Sequence, residues 1–223
     1  MGFFKKLFGF EKEEESKPAI PKTKLAIVFY SSTGTNYQLA QWAAEAGVED
    51  GAEVRLLKVP ELAPASVIDG NPAWKTHVEA TKNIPIITPE DIVWADAIIF
   101  SAPTRFGNIA SQMKQFLDTT GGIWFNGGTV NKVVSAMTSA QNVNGGQEAT
   151  ILSIYTSMHH WGAIVVPPGY TDPSIFAAGG NPYGTSVSVD QDGNMKEDVR
   201  NAVIHQTKRV LNVAESIKVG MQA

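Results

Sequence analysis

The fold of this chain is decided by one stretch, Leu25-Ala26-Ile27-Val28-Phe29-Tyr30-Ser31-Ser32-Thr33-Gly34-Thr35-Asn36. An apolar run ends there in small polar residues with one glycine, and an amphipathic helix follows at once. A run this short and this apolar predicts a strand that is buried on both faces, as in a parallel sheet. The polar residues then lie where the strand ends and the helix begins.

Hydroxyls, backbone amides and a helix N-terminus at this position favour a bound anion. No Gly-Lys-Ser/Thr follows, so this is not a Walker loop, and the single Gly34 does not make a dinucleotide fingerprint. A phosphate monoester, such as that of FMN, is the ligand we expect. The alternative is an ordinary turn in which Thr35 or Ser32 caps the helix. The predicted phosphate-binding residues are Ser31, Ser32, Thr33, Gly34, Thr35 and Asn36.

The composition excludes several classes of protein. Apolar residues make up 43% of the 223 residues and charged residues 18%, so the chain can bury a sizeable core. The net charge of −4 argues against a nucleic-acid-binding protein, which usually carries a strongly basic domain. The absence of cysteine excludes disulfides, thiolate metal sites and cysteine catalysis, and no metal site is expected. No apolar run is long enough to span a bilayer, and we expect a cytoplasmic protein.

Apolar strands alternate with amphipathic helices along residues 24–218, which we interpret as one domain. Such alternation predicts an α/β fold, a flavodoxin-like three-layer sandwich whose five-stranded parallel sheet has the order 2-1-3-4-5. Residues 60–89 are expected to form a long connection with little regular structure, in which His77 is a surface histidine rather than a metal ligand. Residues 171–196 read as a loop. The predicted strands are residues 24–30, 53–59, 96–101, 132–137 and 163–166.

Unusual loops follow the first, third and fourth predicted strands, and in this topology all three meet at one edge of the sheet. In the loop after the third strand, Pro103 supplies rigidity, Phe106 an apolar wall and the backbone around Gly107 exposed amides. A flat heteroaromatic ring needs such a wall beside N–H and C=O groups. Arg105 places a charge near a ring carbonyl or a phosphate, with a surface salt bridge as the alternative.

Two further side chains are candidates for the same site. Trp124 lies in an aromatic, glycine-rich loop and is interpreted as a cap on the open face of a ring, although tryptophan is commonly a core residue. His160 ends the fourth helix beside His159, where the helix C-terminus favours an imidazolium. Neighbouring helical residues point about 100° apart, so at most one of the two faces the site. The alternative is a solvated histidine.

One motif resembles a known family. The block Pro103-Thr104-Arg105-Phe106-Gly107-Asn108 is followed by a Gln-Met-Lys-Gln-Phe-Leu-Asp helix, Gly121-Gly122 and Trp124, and later by Gly145-Gly146-Gln147-Glu148, His160 and Pro182-Tyr183-Gly184. Over about residues 24–218 the chain is similar to the WrbA-type NAD(P)H:quinone oxidoreductases. The resemblance implies an FMN enzyme that reduces quinones to hydroquinones with NADH or NADPH, in a ping-pong reaction at one flavin face. It also implies a homotetramer whose sites are completed by neighbouring subunits.

The resemblance also implies roles for individual residues. His160 lies at the flavin and the stacked quinone, and Trp124 walls the substrate site. Thr33, a further substrate-binding position, stands where relatives often carry an aromatic residue that contacts the nicotinamide. The FMN-binding residues that it implies beyond the phosphate loop are Thr104, Arg105, Phe106, Gly107, Ala140, Gln141, Asn142, Val143, Asn144, Gly145 and His160.

Two other functions are open from the residues alone. A flavodoxin-type electron carrier has the same fold, but a strongly acidic docking face is expected of it, and −4 is a mild charge for this length. Residues 1–23 form a separate tail that is aromatic and basic over Gly2–Phe10 and acidic over Glu11–Glu15. We interpret it as a flexible tail. The alternative is a segment that contacts a membrane or a protein partner through its phenylalanines.

Overall fold

The structure is a computed structural model and describes residues 21–191 and 193–222. The predicted tail of residues 1–23 therefore lies outside the described residues, apart from its last three. The prediction of one domain over residues 24–218 concerns residues that the structure describes, apart from residue 192.

A parallel sheet forms the centre of the domain, and its strand order is β2-β1-β3-β6-β7. This is the predicted order 2-1-3-4-5, and the prediction of a flavodoxin-like α/β fold is confirmed. A further strand, β8, pairs with the last residues of β6, whereas β7 pairs with its first residues. Both strands therefore flank the same edge of β6, with β8 nearer its carboxyl end. The strands of this sheet are β1 (Lys24–Phe29), β2 (Glu53–Lys58), β3 (Ala97–Ser101), β6 (Val133–Ala140), β7 (Ile164–Val165) and β8 (Ser186–Ser188).

Side chains alternate between the two faces of the sheet, and each face is covered by helices. On one face Val28 and Phe100 join a core with residues of α4, α5 and α7, including Met113 and Ile154. On the other face Ile27 and its neighbours pack against residues of α1, α8 and α9. The continuous apolar run of β1 is thus explained by burial on both sides.

Nine helices occur in the part of the chain that the structure describes. None of them combines the length and the apolar composition needed to cross a bilayer. They are α1 (Thr35–Glu49), α2 (Ala65–Asp69), α3 (Pro72–Ala80), α4 (Pro89–Trp94), α5 (Ser111–Thr119), α6 (Gly121–Phe125), α7 (Gln147–Trp161), α8 (Pro173–Ala177) and α9 (Arg200–Gln222).

The two segments predicted to be loops contain regular structure, so both predictions were wrong. Residues 60–89 hold α2 and α3, and residues 171–196 hold α8 and β8. In α3 and α8 a side chain caps the helix and a proline follows it, Asn71-Pro72 and Asp172-Pro173. A capping residue followed by proline carries little hydrophobic periodicity, so a prediction based on periodicity does not detect it.

A two-stranded hairpin, β4 (Thr104–Arg105) and β5 (Asn108–Ile109), precedes α5. One smaller prediction also needs correction. The glycine-rich loop expected around Trp124 is instead the short helix α6.

Candidate functional site

The predicted phosphate loop, residues 31–36, joins β1 to α1 and leaves the start of the helix without a side-chain cap. Gly34 takes the N-cap position with φ 108°, a left-handed conformation that suits glycine, and no side chain caps the helix. The Ser31 Oγ instead accepts a hydrogen bond from the Gly34 N–H at 3.0 Å. The first amides of α1 have no intrahelical acceptor, so they are available to an anion. Capping by Thr35 or Ser32, the alternative from the sequence, does not occur.

Asn36 lies beneath this loop and joins it to two strands. Its Nδ2 donates to Ser101 Oγ at 3.2 Å, and its Oδ1 accepts from Ser139 Oγ at 2.6 Å. Ser101 Oγ also donates to the Asn36 carbonyl at 2.9 Å. All three residues are buried. The Asn36 side chain therefore fixes the loop against the ends of β3 and β6.

The hairpin of β4 and β5 carries the Thr-Arg-Phe-Gly motif. Its two-residue turn consists of Phe106 and Gly107, with φ values of 53° and 75°. Two positive φ values are what a type I′ turn requires, and phenylalanine is a strained choice for the first of them. The Phe106 ring is also fully exposed. An exposed aromatic ring on a strained turn is a candidate for ligand contact.

The hairpin docks closely on the start of α7. Gly146, the N-cap of α7, has φ 90°, and a Cβ placed on it would lie 2.5 Å from the Gly107 Cα. Thr104 Oγ1 donates to the Gly145 carbonyl at 3.2 Å and accepts from the buried Thr150 Oγ1 at 2.7 Å. The hairpin and the loop after β6 are thus held as one unit.

Arg105 links the hairpin to the phosphate loop. Its Nη2 donates to Ser32 Oγ at 3.2 Å and its Nη1 to the Thr104 carbonyl at 3.1 Å. Among the described residues no carboxylate forms an ion pair with it, so the surface salt bridge considered from the sequence is absent. A positive charge therefore stands beside the open start of α1.

The loop after β6 is ordered by Asn142. The Asn142 carbonyl accepts from the Gly145 N–H at 3.0 Å and from Gln147 Nε2 at 2.8 Å, and its Oδ1 accepts from the Asn144 N–H at 3.0 Å. Val143 and Asn144 face a neighbouring cavity of about 610 Å³ rather than the one between the three loops.

The three loops enclose a cavity of about 620 Å³ at the carboxyl edge of the sheet. Most of the predicted residues line it. Those that do not are Gly34, Gly107, Trp124, Val143, Asn144 and His160. The predicted residues in its wall are Ser31, Ser32, Thr33, Thr35, Asn36, Thr104, Arg105, Phe106, Ala140, Gln141, Asn142 and Gly145. Ser139 and Val189 also line it, beside Pro103.

Four wall residues were not predicted from the sequence: Ser139, Val189, and Asn71 and Trp74 at the start of α3. Asn71 Oδ1 caps α3 by accepting from the Trp74 N–H at 3.1 Å. The signals for this helix were the Asn-Pro start and the i, i+3, i+4 spacing of Trp74, His77 and Val78.

His77 is buried, so its interpretation as a surface histidine was wrong. Helix α3 places its ring against Tyr37 of α1, with 5.6 Å between the ring centroids. Burial lowers the pKa of His77, and the Lys58 charge acts in the same direction while Glu61 opposes it. This side chain packs α3 on α1 behind the phosphate loop.

Trp124 and His160 come together, but not in the three-loop cavity of the same chain. They line a separate cavity of about 290 Å³ between α5, α6 and α7. Trp124 Nε1 donates to the His160 carbonyl at 2.8 Å. The Trp124 side chain is 51% exposed, so it is not a core tryptophan.

Comparison with known proteins identifies relatives that span most of the chain. The sequence model of a family described as NADPH-dependent FMN reductase matches residues 24–174. A protein of Deinococcus radiodurans named NAD(P)H dehydrogenase (quinone) is 57% identical over 194 residues, which are 87% of this chain and 96% of the relative. A protein of the same name from Aromatoleum aromaticum is 43% identical over 176 residues, 77% of this chain and 84% of the relative.

Solved structures share the fold. A flavodoxin, WrbA-like protein from Agrobacterium tumefaciens superposes with a TM-score of 0.59 at 21% identity, over 87% of this chain and 99% of the other. A flavodoxin from the domain Archaea superposes with a TM-score of 0.53 at 14% identity, over 88% and 99% of the two chains. At these identities the likeness concerns the fold alone.

Proposed function

Because the chain belongs to the NADPH-dependent FMN reductase family, we propose that it binds FMN and reduces quinones to hydroquinones with NADH or NADPH. The relatives from D. radiodurans and A. aromaticum carry a name for this reaction. One structural observation carries the proposal: three features surround one cavity. They are an uncapped helix start, an arginine that forms no ion pair among the described residues, and an exposed aromatic ring.

The residues present fit FMN. The amides at the start of α1, with the hydroxyls of Ser32, Thr33 and Thr35, would hold the phosphate. Thr104, Phe106 and the loop from Ala140 to Gly145 would hold the ring. The close contact of Gly146 with Gly107 leaves no room for a side chain between α7 and the hairpin, so the two ring-binding segments stay together. Bound FMN supplies a ring that accepts a hydride from a nicotinamide and returns two electrons to a quinone.

The chain's own residues bind and orient the cofactor. Arg105 would lower the cost of the phosphate charge, because no carboxylate among the described residues pairs with it. Phe106 would shield the ring from water on one side, and the Asn36 hydrogen bonds hold the phosphate loop against the ends of β3 and β6.

The experiment is spectroscopic. Purified protein should be yellow, take up FMN in a titration, and give parallel double-reciprocal plots for NAD(P)H against benzoquinone. Arg105→Ala should weaken FMN binding about tenfold, as loss of a charge-assisted contact does. A colourless protein that takes up no FMN would end the proposal.

An electron carrier of the flavodoxin type is the competing function, and the relatives' names weigh against it. Stopped-flow mixing separates the two. An enzyme is reduced directly by NADH or NADPH within milliseconds to seconds, whereas a carrier needs a separate reductase.

The separation of Trp124 and His160 from the three-loop cavity supports a homotetramer in which a neighbouring subunit completes the site. In that assembly His160 would lie at the flavin as a catalytic residue. Trp124 would form one wall of the quinone site, and Thr33 would also contact the substrate. Size-exclusion chromatography with light scattering gives the subunit number. Mixed oligomers of Arg105→Ala and His160→Ala subunits should regain activity, since each supplies what the other lacks.

The protein is proposed to be cytoplasmic, and contact of its aromatic and basic N-terminal segment with a membrane surface is the alternative to a tail without a binding role. Sedimentation with vesicles of anionic lipid, for the full chain and for a chain lacking residues 1–20, measures that contact. Equal sedimentation of the two chains would show that the N-terminal segment does not bind the membrane.

A further inference from the structure

Helix α3 closes one end of the three-loop cavity. The loops that bind FMN in our proposal follow β1, β3 and β6, whereas α3 follows β2, the outermost strand beside β1. Trp74 and Asn71 therefore border the cavity on the far side of the phosphate loop, opposite the loop after β6. A cofactor that spans the three loops leaves this end to another ligand.

The Trp74 indole is held in a fixed orientation. Its Nε1 donates to Glu61 Oε2 at 3.1 Å. The Glu61 carboxylate also accepts from Gln112 Nε2 at 2.8 Å, from Tyr30 Oη at 3.2 Å, and from the two backbone amides that follow it at 2.8 and 2.9 Å. A carboxylate with five donors is saturated, so it anchors the indole rather than binding a ligand of its own.

The helix beneath Trp74 is also fixed. Asn71 caps it, Pro72 follows at its first position, and His77 packs on Tyr37 of α1. The indole is only partly buried, so a face remains for contact within the cavity. A rigid, half-exposed indole is an effective platform for a planar ring, since little side-chain entropy is lost on stacking.

A second planar ring decides which substrate reaches this end. The ring of a quinone must lie on the flavin to be reduced, whereas NADH and NADPH carry an adenine ring in addition to the nicotinamide.

The position of the indole decides which ring it contacts. The nicotinamide must lie on the flavin ring, which we place at Phe106 and the loop after β6. The part of a dinucleotide that extends beyond the phosphate loop is then its adenine.

We propose that Trp74 is a substrate-binding residue that stacks on the adenine ring of NADH or NADPH, with Glu61 as the residue that positions its indole. The inference rests on the proposed function, because it takes the three loops as the FMN site. It adds a subsite for the non-reacting end of the nucleotide.

The test compares Trp74→Leu with wild type in the FMN-loaded enzyme, using NADH and reduced nicotinamide mononucleotide, which lacks the adenylate. Stacking on a base typically contributes enough for about a tenfold effect. We expect the KM for NADH to rise about tenfold while the KM for the mononucleotide, kcat, and the dissociation constant of FMN stay within about twofold of wild type. Trp74→Phe, which keeps an aromatic face, should restore most of the NADH affinity.

Lys75→Ala is the matched control, because this neighbour on α3 forms an exposed ion pair with Asp69 and does not line the cavity. It should leave both substrates unaffected. An unchanged KM for NADH in Trp74→Leu overturns the proposal, as does an equal rise for NADH and the mononucleotide. An equal weakening of FMN would assign Trp74 to the cofactor instead. Failure of the wild-type protein to bind FMN would overturn the proposed function itself, which is a different outcome.

Discussion

The amide oxygen of Asn36 accepts a hydrogen bond of 2.6 Å from the hydroxyl of Ser139, a residue 103 positions further along the chain. Both residues are buried, and Ser101 completes the group. One side chain at the start of α1 thus sets the distance between the phosphate loop and the loops that follow β3 and β6.

Replacing Asn36 by alanine should destabilise the protein by about 2 kcal/mol, because the buried Ser139 hydroxyl loses its acceptor and the buried Ser101 hydroxyl loses its donor, keeping only its bond to the main-chain carbonyl. For a chain of this length that lowers Tm by roughly 4–8 °C in calorimetry. FMN affinity should fall as well, since the loops lose their common anchor. Asn126→Ala is the control: its amide bonds the Gly122 carbonyl at an exposed site, and its loss should matter little. Equal Tm values for the two variants would contradict the role given to Asn36.

Gly146→Ala and Gly51→Ala separate backbone strain from steric clash. Both glycines have positive φ, 90° and 87°, so each variant should lose about 1 kcal/mol of stability. Only at Gly146 would the new Cβ meet another atom, the Gly107 Cα, whereas nothing lies within 4 Å at Gly51. FMN titration should therefore show weakened binding in Gly146→Ala alone. Normal binding there would show that the hairpin tip does not contribute to the FMN site.

Phe106→Asn should trade function for stability. An Asn-Gly pair suits a type I′ turn, so the apo protein should gain about 1 kcal/mol in urea unfolding. FMN retention and quinone reduction should both fall, because the exposed ring is lost. Phe125→Asn, which removes another exposed ring outside the cavity, should give neither result. A stabilised Phe106→Asn enzyme with full activity would leave the strained turn without a functional explanation.

His160→Ala should lower kcat for quinone reduction by about a hundredfold, the scale of a positioned proton donor, while leaving FMN content nearly unchanged. The Trp124 hydrogen bond is made to the His160 carbonyl, so it survives the substitution. His159→Ala is the neighbouring control and should retain activity. If turnover and FMN content fall together in His160→Ala, the residue is structural.

Glu61→Gln tests the carboxylate that holds Trp74. Burial acts to raise the pKa of Glu61, but hydrogen bonds from Ala63, Gln112, Leu62 and Trp74 outweigh it and lower the pKa below its usual 4.5. A lowered pKa contributes stability that is present above the unfolded value and is lost as the pH falls through the folded value. The stability advantage of wild type over Glu61→Gln should therefore be constant near neutrality and shrink below about pH 4.5. Urea unfolding at several pH values measures it, with Glu49→Gln at the exposed end of α1 as the control.

An apolar run and a sequence motif were sufficient to predict the central sheet and the family. The run of Leu25–Phe29 predicts a doubly buried strand because every residue in it is apolar, and the structure confirms this. The resemblance to quinone oxidoreductases rested on one specific block around Arg105, and the family match confirms it. The convergence of three loops followed from topology alone.

The same patterns could not predict the short helices and strands or the assembly of the site. The two-residue strands around Phe106 have no periodicity to detect, and α3 is announced by Asn71-Pro72 rather than by an apolar stripe. His77 was predicted to be a surface residue because the packing of α3 on α1, which buries its ring against Tyr37, was not predicted. The roles of individual site residues stay predictions. In particular, the distance between the Trp124 cavity and the three-loop cavity is set by tertiary structure, which no local pattern encodes.

Helix α1 begins without a side-chain cap, so its first peptide groups would be completed by the phosphate that we propose they bind. A ligand present at a hundred times its dissociation constant stabilises the folded state by about 2.7 kcal/mol. Chains that fold without FMN would therefore open more often at this edge and be degraded sooner. The supply of the vitamin from which FMN is made would then set how much of this protein a cell retains, with no change in its synthesis.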